Sequence, residues 1–310
     1  MKTFVVSLAL IALLALGMNQ QDAPPQRGAS VPPVAALAVA DATADESAPP
    51  DNFEESAAQP ITRRARSFDA FLYAPASAHG AGSLQVVIAL HGIGGDGRGF
   101  AAPLIKAADR YGWLVVAPTL QYRDWRDPAI VAEEEANNCQ RLLSTIEGLP
   151  ALTGLNLKPK IDLFGFSRGA QFAHRFAILY PERVARAAVV AAGSYTLPYR
   201  AMDVQGDGQR VKVGFPYGVG DMSKIGGRPI NRTRLRDVLF WVGVGSADNA
   251  AADVPRAWDP YVGRTRVERA REFVNALQGT GVQTTLQVYA GAGHELTPPD
   301  GQTGAGVSCR

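Results

Sequence analysis

Along most of this 310-residue chain, short apolar runs alternate with longer stretches of helical periodicity, and that alternation limits the available folds more than any other feature. The runs expected as strands are Phe68 to Tyr73, Leu84 to Leu90, Trp113 to Ala117, Ile161 to Phe164, Ala187 to Ala192, Val238 to Val244 and Thr285 to Tyr289. Several are continuous in Val, Ile and Leu, as parallel strands buried on both faces tend to be. Helical spacing is found at Phe100 to Arg110, Ala129 to Glu147, Gln171 to Leu179 and Arg264 to Leu277. The expected class is therefore α/β, a mostly parallel sheet with helices on both faces. The stretch from Ser194 to Arg236 breaks the pattern. It is long and rich in Gly, Pro and aromatics, so an excursion over one end of the sheet is expected at about 194–236.

The first sixty residues read differently. Lys2 precedes an apolar run from Phe4 to Leu16 that ends at Ala15-Leu16-Gly17, shorter than the roughly 20 residues a membrane-spanning helix needs. A signal peptide over 1–17 is the expectation, with an uncleaved anchor as the alternative, and the mature protein is then secreted or periplasmic with no stable membrane span. No Cys follows the run, which disfavours a lipoprotein. Residues 18–60 carry Pro24-Pro25, Pro32-Pro33 and Pro49-Pro50 among Ala, Asp, Glu and Gln, a composition that buries too little apolar surface to repay its ordering entropy. They are expected to be a flexible tether, leaving 61–310 as one folded domain. Forty-six per cent hydrophobic and 19% charged residues suit a packed core, and a net charge of +2 without a dense basic run excludes nucleic acid as an expected partner.

Chemistry enters at Gly165-Phe166-Ser167-Arg168-Gly169, where an apolar strand runs into G-x-S-x-G and then into a helix. A serine at the apex of so tight a turn needs glycines beside it, because neighbouring side chains would obstruct the backbone. A serine hydroxyl is a weak nucleophile near neutral pH and needs a base. Of four histidines, His79 sits in an early loop, His91 follows a strand, and His174 lies within the helix after Ser167. Only His294, in Gly291-Ala292-Gly293-His294-Glu295 after the last strand, comes late in the chain at the end of the sheet where open α/β sheets bind ligands. A carboxylate must hold the imidazole tautomer. Asp248 follows a strand in Gly245-Ser246-Ala247-Asp248, with Asp253 as runner-up five residues on, while Asp237 precedes the strand and belongs to the opposite end. Oxyanion donors are expected from the backbone N–H of Ile93, in His91-Gly92-Ile93-Gly94-Gly95, and from that of Arg168.

Through these four motifs, in this order over about residues 65 to 297, the chain resembles the α/β-hydrolase superfamily. The run from Ser167 to Phe176, followed by Tyr180-Pro181-Glu182-Arg183-Val184, is similar to secreted bacterial polyhydroxybutyrate depolymerase-like and feruloyl esterase-like enzymes. The resemblance implies a secreted serine esterase that forms an acyl-enzyme on a small-molecule or polymeric ester. A serine peptidase or thioesterase is the alternative on the same fold, as is a non-catalytic secreted binding protein. Arg168 departs from many relatives, which carry a small or apolar residue there, and is expected to meet an acidic or carbonyl-bearing substrate or to form a local salt bridge.

Other signals are weaker. Asp203-Val204-Gln205-Gly206-Asp207-Gly208 begins like a calcium loop but has Gly214 where the last acidic ligand belongs. Asn231-Arg232-Thr233 fits the glycosylation pattern, and Glu133-Glu134-Glu135 is expected to be the solvated half of a helix. With no Gly-rich phosphate loop, CxxC pair or HExxH helix, neither metal nor cofactor is expected. Cys139 and Cys309 are permitted to pair in an oxidising compartment. The excursion's aromatics Tyr195, Tyr199, Phe215 and Tyr217 are expected as an apolar substrate wall or as a satellite core, with Tyr195, Phe215 and Tyr217 as the substrate-contacting candidates.

Overall fold

The computed structural model describes residues 68–296 apart from 79–81, 205–207 and 226, together with the strand Leu37–Val39. The expected signal peptide, most of the expected tether, His79 and Cys309 lie outside the described residues. Ten strands are described: β1 Leu37–Val39, β2 Ala70–Tyr73, β3 Gln85–Leu90, β4 Trp113–Pro118, β5 Ile161–Phe166, β6 Val184–Val190, β7 Ala201–Met202, β8 Val211–Lys212, β9 Leu239–Gly245 and β10 Thr284–Tyr289. Eight of them form one sheet in the order β1-β2-β4-β3-β5-β6-β9-β10. From β4 to β10 every neighbouring pair is parallel, and β2 and β1 add antiparallel strands at one edge. All seven strands expected from the sequence are present. The edge strand β1 was not expected, since it comes from the segment read as tether; its short apolar sequence pairs with the otherwise open edge of β2.

The helices are α1 Gly97–Ala101, α2 Ile105–Tyr111, α3 Pro128–Thr153, α4 Arg168–Leu179, the short α5 Met222–Ile225, α6 Arg232–Leu235 and α7 Asp259–Val262, and α8 Arg266–Gly279. Period-two alternation divides the sheet's side chains between two cores. Val86, Ile88 and Leu90 pack with the apolar stripes of α3, α4 and α8, whereas Val87 and Ala89 pack with Ala101, Leu104, Ala107 and Ala108 of the segment spanning α1 and α2. Local chemistry sets the helix ends. Asp127 caps α3 by accepting from Ala129 and Ile130 N–H, with Pro128 in the first turn, and Gly154 closes it in the left-handed conformation at φ 66°. Thr265 and Glu268 form a capping box at the start of α8.

The α3 stripe overturns one expectation. Buried Val131, Glu134, Glu135, Asn138, Cys139 and Leu142 recur at helical spacing, so Glu134 and Glu135 fall on the inward face and only Glu133, paired with Arg123 at 3.1 Å, is solvated. Burial also pushes the Cys139 thiol well above its ordinary range.

The excursion's buried aromatics join the core on the face of the sheet covered by α3, α4 and α8, and form neither an open wall nor a separate satellite core. Tyr195 is fully buried, stacked on Phe273 of α8 at 4.6 Å between ring centres and tilted against His174 at 5.1 Å. Phe215 is buried in the same core. Both are therefore corrected from substrate-contacting candidates to core residues: the last helix packs onto Tyr195 through Phe273, and Phe215 is buried in the same cluster. Tyr217 is half-buried and stacks on Tyr261 at 4.3 Å and against Trp258 at 4.9 Å. Asn231 caps α6 by accepting from Arg234 N–H, and Asp203 accepts from Gly208 N–H. Among the described residues there is no cluster of ligands able to hold a metal, and no helix is long and apolar enough to cross a membrane.

Candidate active site

The centre of the sheet builds the first element of the site. β5 ends at Phe166, and Ser167 turns into α4 with φ 55° and ψ −116°, a region a non-glycine residue rarely adopts. The turn is held by main-chain bonds, with Ser167 N–H donating to Val190 C=O at 2.8 Å and Ser167 C=O accepting from Ala170 and Gln171 N–H at 3.1 Å each. Both flanking glycines are obligatory on steric grounds. A Cβ at Gly165 would lie 2.4 Å from Gly169 O, and one at Gly169 would lie 2.1 Å from Leu90 O. Sequence reasoning reached this result, and the helix and neighbouring strand now give it a cause.

The loops after β9 and β10 supply the other two groups, and they are laced together. Ser246 N–H donates to Tyr289 C=O at 2.9 Å, Ala247 N–H to Ala292 C=O at 2.8 Å, and Gly291 N–H to Ser246 Oγ at 2.8 Å. A Cβ at Gly245 would meet Ala292 O at 2.2 Å, so the close approach depends on that glycine. This lacing brings His294 Nδ1 to 2.7 Å from Asp248 Oδ2 and His294 Nε2 to 2.9 Å from Ser167 Oγ. The order of roles follows from the donors available. An ionised Asp248 can only accept, so Nδ1 carries the proton and Nε2 is left to accept from the serine hydroxyl. Phe166 stacks on the imidazole at 5.1 Å. Asp248 is buried and the His294 side chain is about one-fifth exposed, so the bond chain runs from the interior to the surface. Asp253, the other acid considered, is exposed, and only its backbone carbonyl faces the site's support.

The other two described histidines, His91 and His174, are occupied elsewhere. His91 donates from Nδ1 to Gly92 C=O and accepts Leu120 N–H at Nε2; His174 donates to Ala170 C=O and accepts Thr196 N–H. Both rings are buried, which pushes their pKa down and keeps them neutral.

The His91–Gly95 loop lies directly against Ser167, since a Cβ at Gly92 would be 3.3 Å from Ser167 Cβ. Ile93 is one of the few large apolar side chains left exposed. Tyr122 holds the loop from behind by donating to His91 C=O at 2.8 Å.

Arg168 resolves toward the local salt bridge and away from substrate. Its side chain is buried and pairs with Glu134 at 2.7 Å and with Glu135, which also binds Arg175 at 3.0 Å. Arg175 continues the network to Ser194 at 2.8 Å and Thr196 at 3.1 Å, at the base of the excursion. Sequence reasoning also missed Arg266. The first residue of α8, it pairs with Asp248 through Nη1 and donates to Asp253 C=O through Nη2 at 2.7 Å. The signal was present, because Arg266, Arg269, Ala270, Phe273, Val274 and Leu277 share one helical stripe, so both arginines had to face inward.

The model of the alpha/beta hydrolase fold matches residues 85–215. None of the curated protein sequences matches the chain. Among solved structures it is similar to poly(aspartic acid) hydrolase-1 from Sphingomonas sp. KT-1, at TM-score 0.55 and 21% identity over 74% of this chain and 89% of that one. A poly(3-hydroxybutyrate) depolymerase from Bordetella parapertussis matches at TM-score 0.50 and 23% identity over 74% and 81% of the two chains. A ferulic acid esterase from the anaerobic fungus Anaeromyces mucronatus matches at TM-score 0.51 and 13% identity over 89% and 92%. At these identities the likeness is one of fold.

Proposed function

We propose that this chain, which has the alpha/beta hydrolase fold, is an exported serine hydrolase that cleaves carboxylic esters with Ser167 as nucleophile, His294 as base and Asp248 as its orienting acid. The observation that carries the reading is the unbroken chain of short bonds, 2.7 Å and 2.9 Å, from a buried carboxylate through one imidazole to a serine held at positive φ. As Ser167 Oγ adds to the ester carbonyl, its proton passes to His294 Nε2 and the carbonyl oxygen becomes an oxyanion. The N–H groups of Ile93 and Arg168 are the proposed donors to that oxygen, each worth on the order of 3 kcal/mol of barrier. Arg168 is the first residue of α4, where the helix N-terminus favours negative charge. Collapse expels the alcohol, which takes the proton from His294. Water then attacks the acyl-enzyme, His294 accepts a proton from it, and the carboxylic acid leaves as Ser167 regains its hydrogen.

Two of the neighbours above are by name a depolymerase of a polyester and an esterase, which supports ester bonds as the first substrates to try. Export is proposed from Lys2 and the apolar run Phe4 to Leu16. A fluorophosphonate probe should label Ser167 alone in wild type and nothing in Ser167→Ala, with nitrophenyl esters turned over and peptide amides left intact. An unlabelled wild type refutes the nucleophile, and amide cleavage without ester cleavage moves the chain to the peptidase reading.

A further inference from the structure

Asp248 is buried with its two carboxylate oxygens divided between partners on different elements. Oδ2 accepts from His294 Nδ1 at 2.7 Å, while Oδ1 is paired with Nη1 of Arg266. The guanidinium is itself fixed, since Nη2 donates to Asp253 C=O at 2.7 Å and Arg266 starts a helix pinned by a capping box. One turn along, Arg269 donates to Gly193 C=O, to Pro255 C=O at 3.0 Å and to Asp259 Oδ1 at 2.6 Å, so α8 grips the loops that leave both β6 and β9. Gly193 lies against the same cluster: a Cβ there would press on Gln171 Nε2 at 3.2 Å and stand at ordinary contact distance, 3.8 Å, from Arg266 Nη2.

A carboxylate this deeply buried needs a counter-charge, and a neutral imidazole provides none in the resting state. Arg266 is the one cationic side chain paired with it among the described residues. It also stops rotation about the Cβ–Cγ bond. With Oδ1 clamped on one side, Oδ2 has a single direction in which to face, and that direction holds His294 in the tautomer whose Nε2 accepts from Ser167.

We infer that Arg266 is a positioning residue for the proposed reaction, acting on substrate chemistry only through the orientation of Asp248. The inference rests on the reading of Ser167, His294 and Asp248 given above. It separates Arg266 from the arginines that serve the fold alone: Arg175 lies in a different network and Arg186 pairs with Asp162 between adjacent strands at 2.8 Å.

The test uses the full chain with a nitrophenyl ester that wild type hydrolyses, and compares Arg266→Gln, Arg266→Lys, Asp248→Asn and the double variant D248N/R266Q. Arg266→Gln should lower kcat by about 10- to 100-fold, the scale on which partners behind metal-bound histidines act, with KM changed by less than about twofold. In proton NMR without substrate, the far-downfield proton shared by His294 Nδ1 and Asp248 should be present in wild type and absent from Arg266→Gln. Arg266→Lys, which keeps the charge, should recover most of both readouts. In the D248N background the glutamine should cost little more, because the group it acts through is already disabled.

A folded Arg266→Gln with near-wild-type kcat, or with its downfield proton intact, overturns the inference. Multiplying losses in the double variant do the same, as they indicate a route independent of Asp248. If Arg266→Gln does not fold, the lysine variant decides: a folded R266K without the downfield proton refutes the role. A wild type that turns over no ester refutes the proposed function instead, and the NMR comparison still reads the Arg266 contact by itself.

Discussion

Replacing Glu135 with Gln keeps the shape of that side chain and removes its charge, and the consequence follows from a count of buried ions. Arg168, Arg175, Glu134 and Glu135 form a neutral group of two cations and two anions, each almost wholly buried. Glu135 is the only member that binds both arginines. Without its charge, Arg168 keeps Glu134 and Gln171, whereas Arg175 keeps the hydroxyls of Ser194 and Thr196 and the face of Trp258 but has no carboxylate left and becomes a buried cation without a counter-ion. Breaking one side of a buried pair in this way costs about 3 to 5 kcal/mol. For a domain of this size each kcal/mol lowers Tm by roughly 2 to 4 °C, so a fall of about 6 to 20 °C is expected in calorimetry or a circular dichroism melt. The second arm restores neutrality. Glu135→Gln combined with Arg175→Met removes the orphaned charge, and the pair should lose clearly less than the sum of the single changes. A single variant within about 1 kcal/mol of wild type, or strictly additive losses, would refute the charge argument.

The contrast between β5 and α3 explains what was legible from residues alone. The strand, the glycines and Ser167 are local in sequence, and their steric demand is the same in any context, so the run from Ile161 to Gly169 announced the turn it forms. His294 and Asp248 were reachable because chain order and strand ends place them at one end of the sheet, and the hydrogen-bonded lacing of their loops brings them to Ser167. Glu134 and Glu135 were misread because charge is a surface signal only when no opposite charge is buried nearby. Their partners Arg168 and Arg175 sit on another helix, at a sequence distance no local pattern spans. Tyr195 was misplaced for a related reason: an aromatic-rich excursion gives no sign of which face a later helix will cover, and α8 covers it.

Two further outcomes test the burial assignments. Tyr195→Ala should cost about 3 to 5 kcal/mol while leaving the preference among acyl chain lengths unchanged. Tyr195→Phe should be neutral or stabilising in the same melt, because the buried hydroxyl has no hydrogen-bond partner and its loss removes an unmet polar group; a large loss in the phenylalanine variant would show that the hydroxyl is bound after all. The last prediction concerns pH. Burial, assisted by the neighbouring Arg175, holds the His174 pKa well below 6.5 in the folded protein, so between that lowered value and 6.5 the unfolded chain binds a proton that the folded one does not. Stability must then rise with pH across this window and fall as pH drops below about 6.5, with the penalty complete beneath the folded value. His91, buried and shifted in the same direction, adds to the slope. Replacing His174 with Gln removes one of the two contributions, and the slope of Tm against pH between about 5 and 6.5 should become shallower than in wild type, whatever the change in Tm at neutral pH. An unchanged slope would mean that His174 takes up its proton inside the core in spite of its burial, the neighbouring Arg175 and the Thr196 N–H donated to its Nε2.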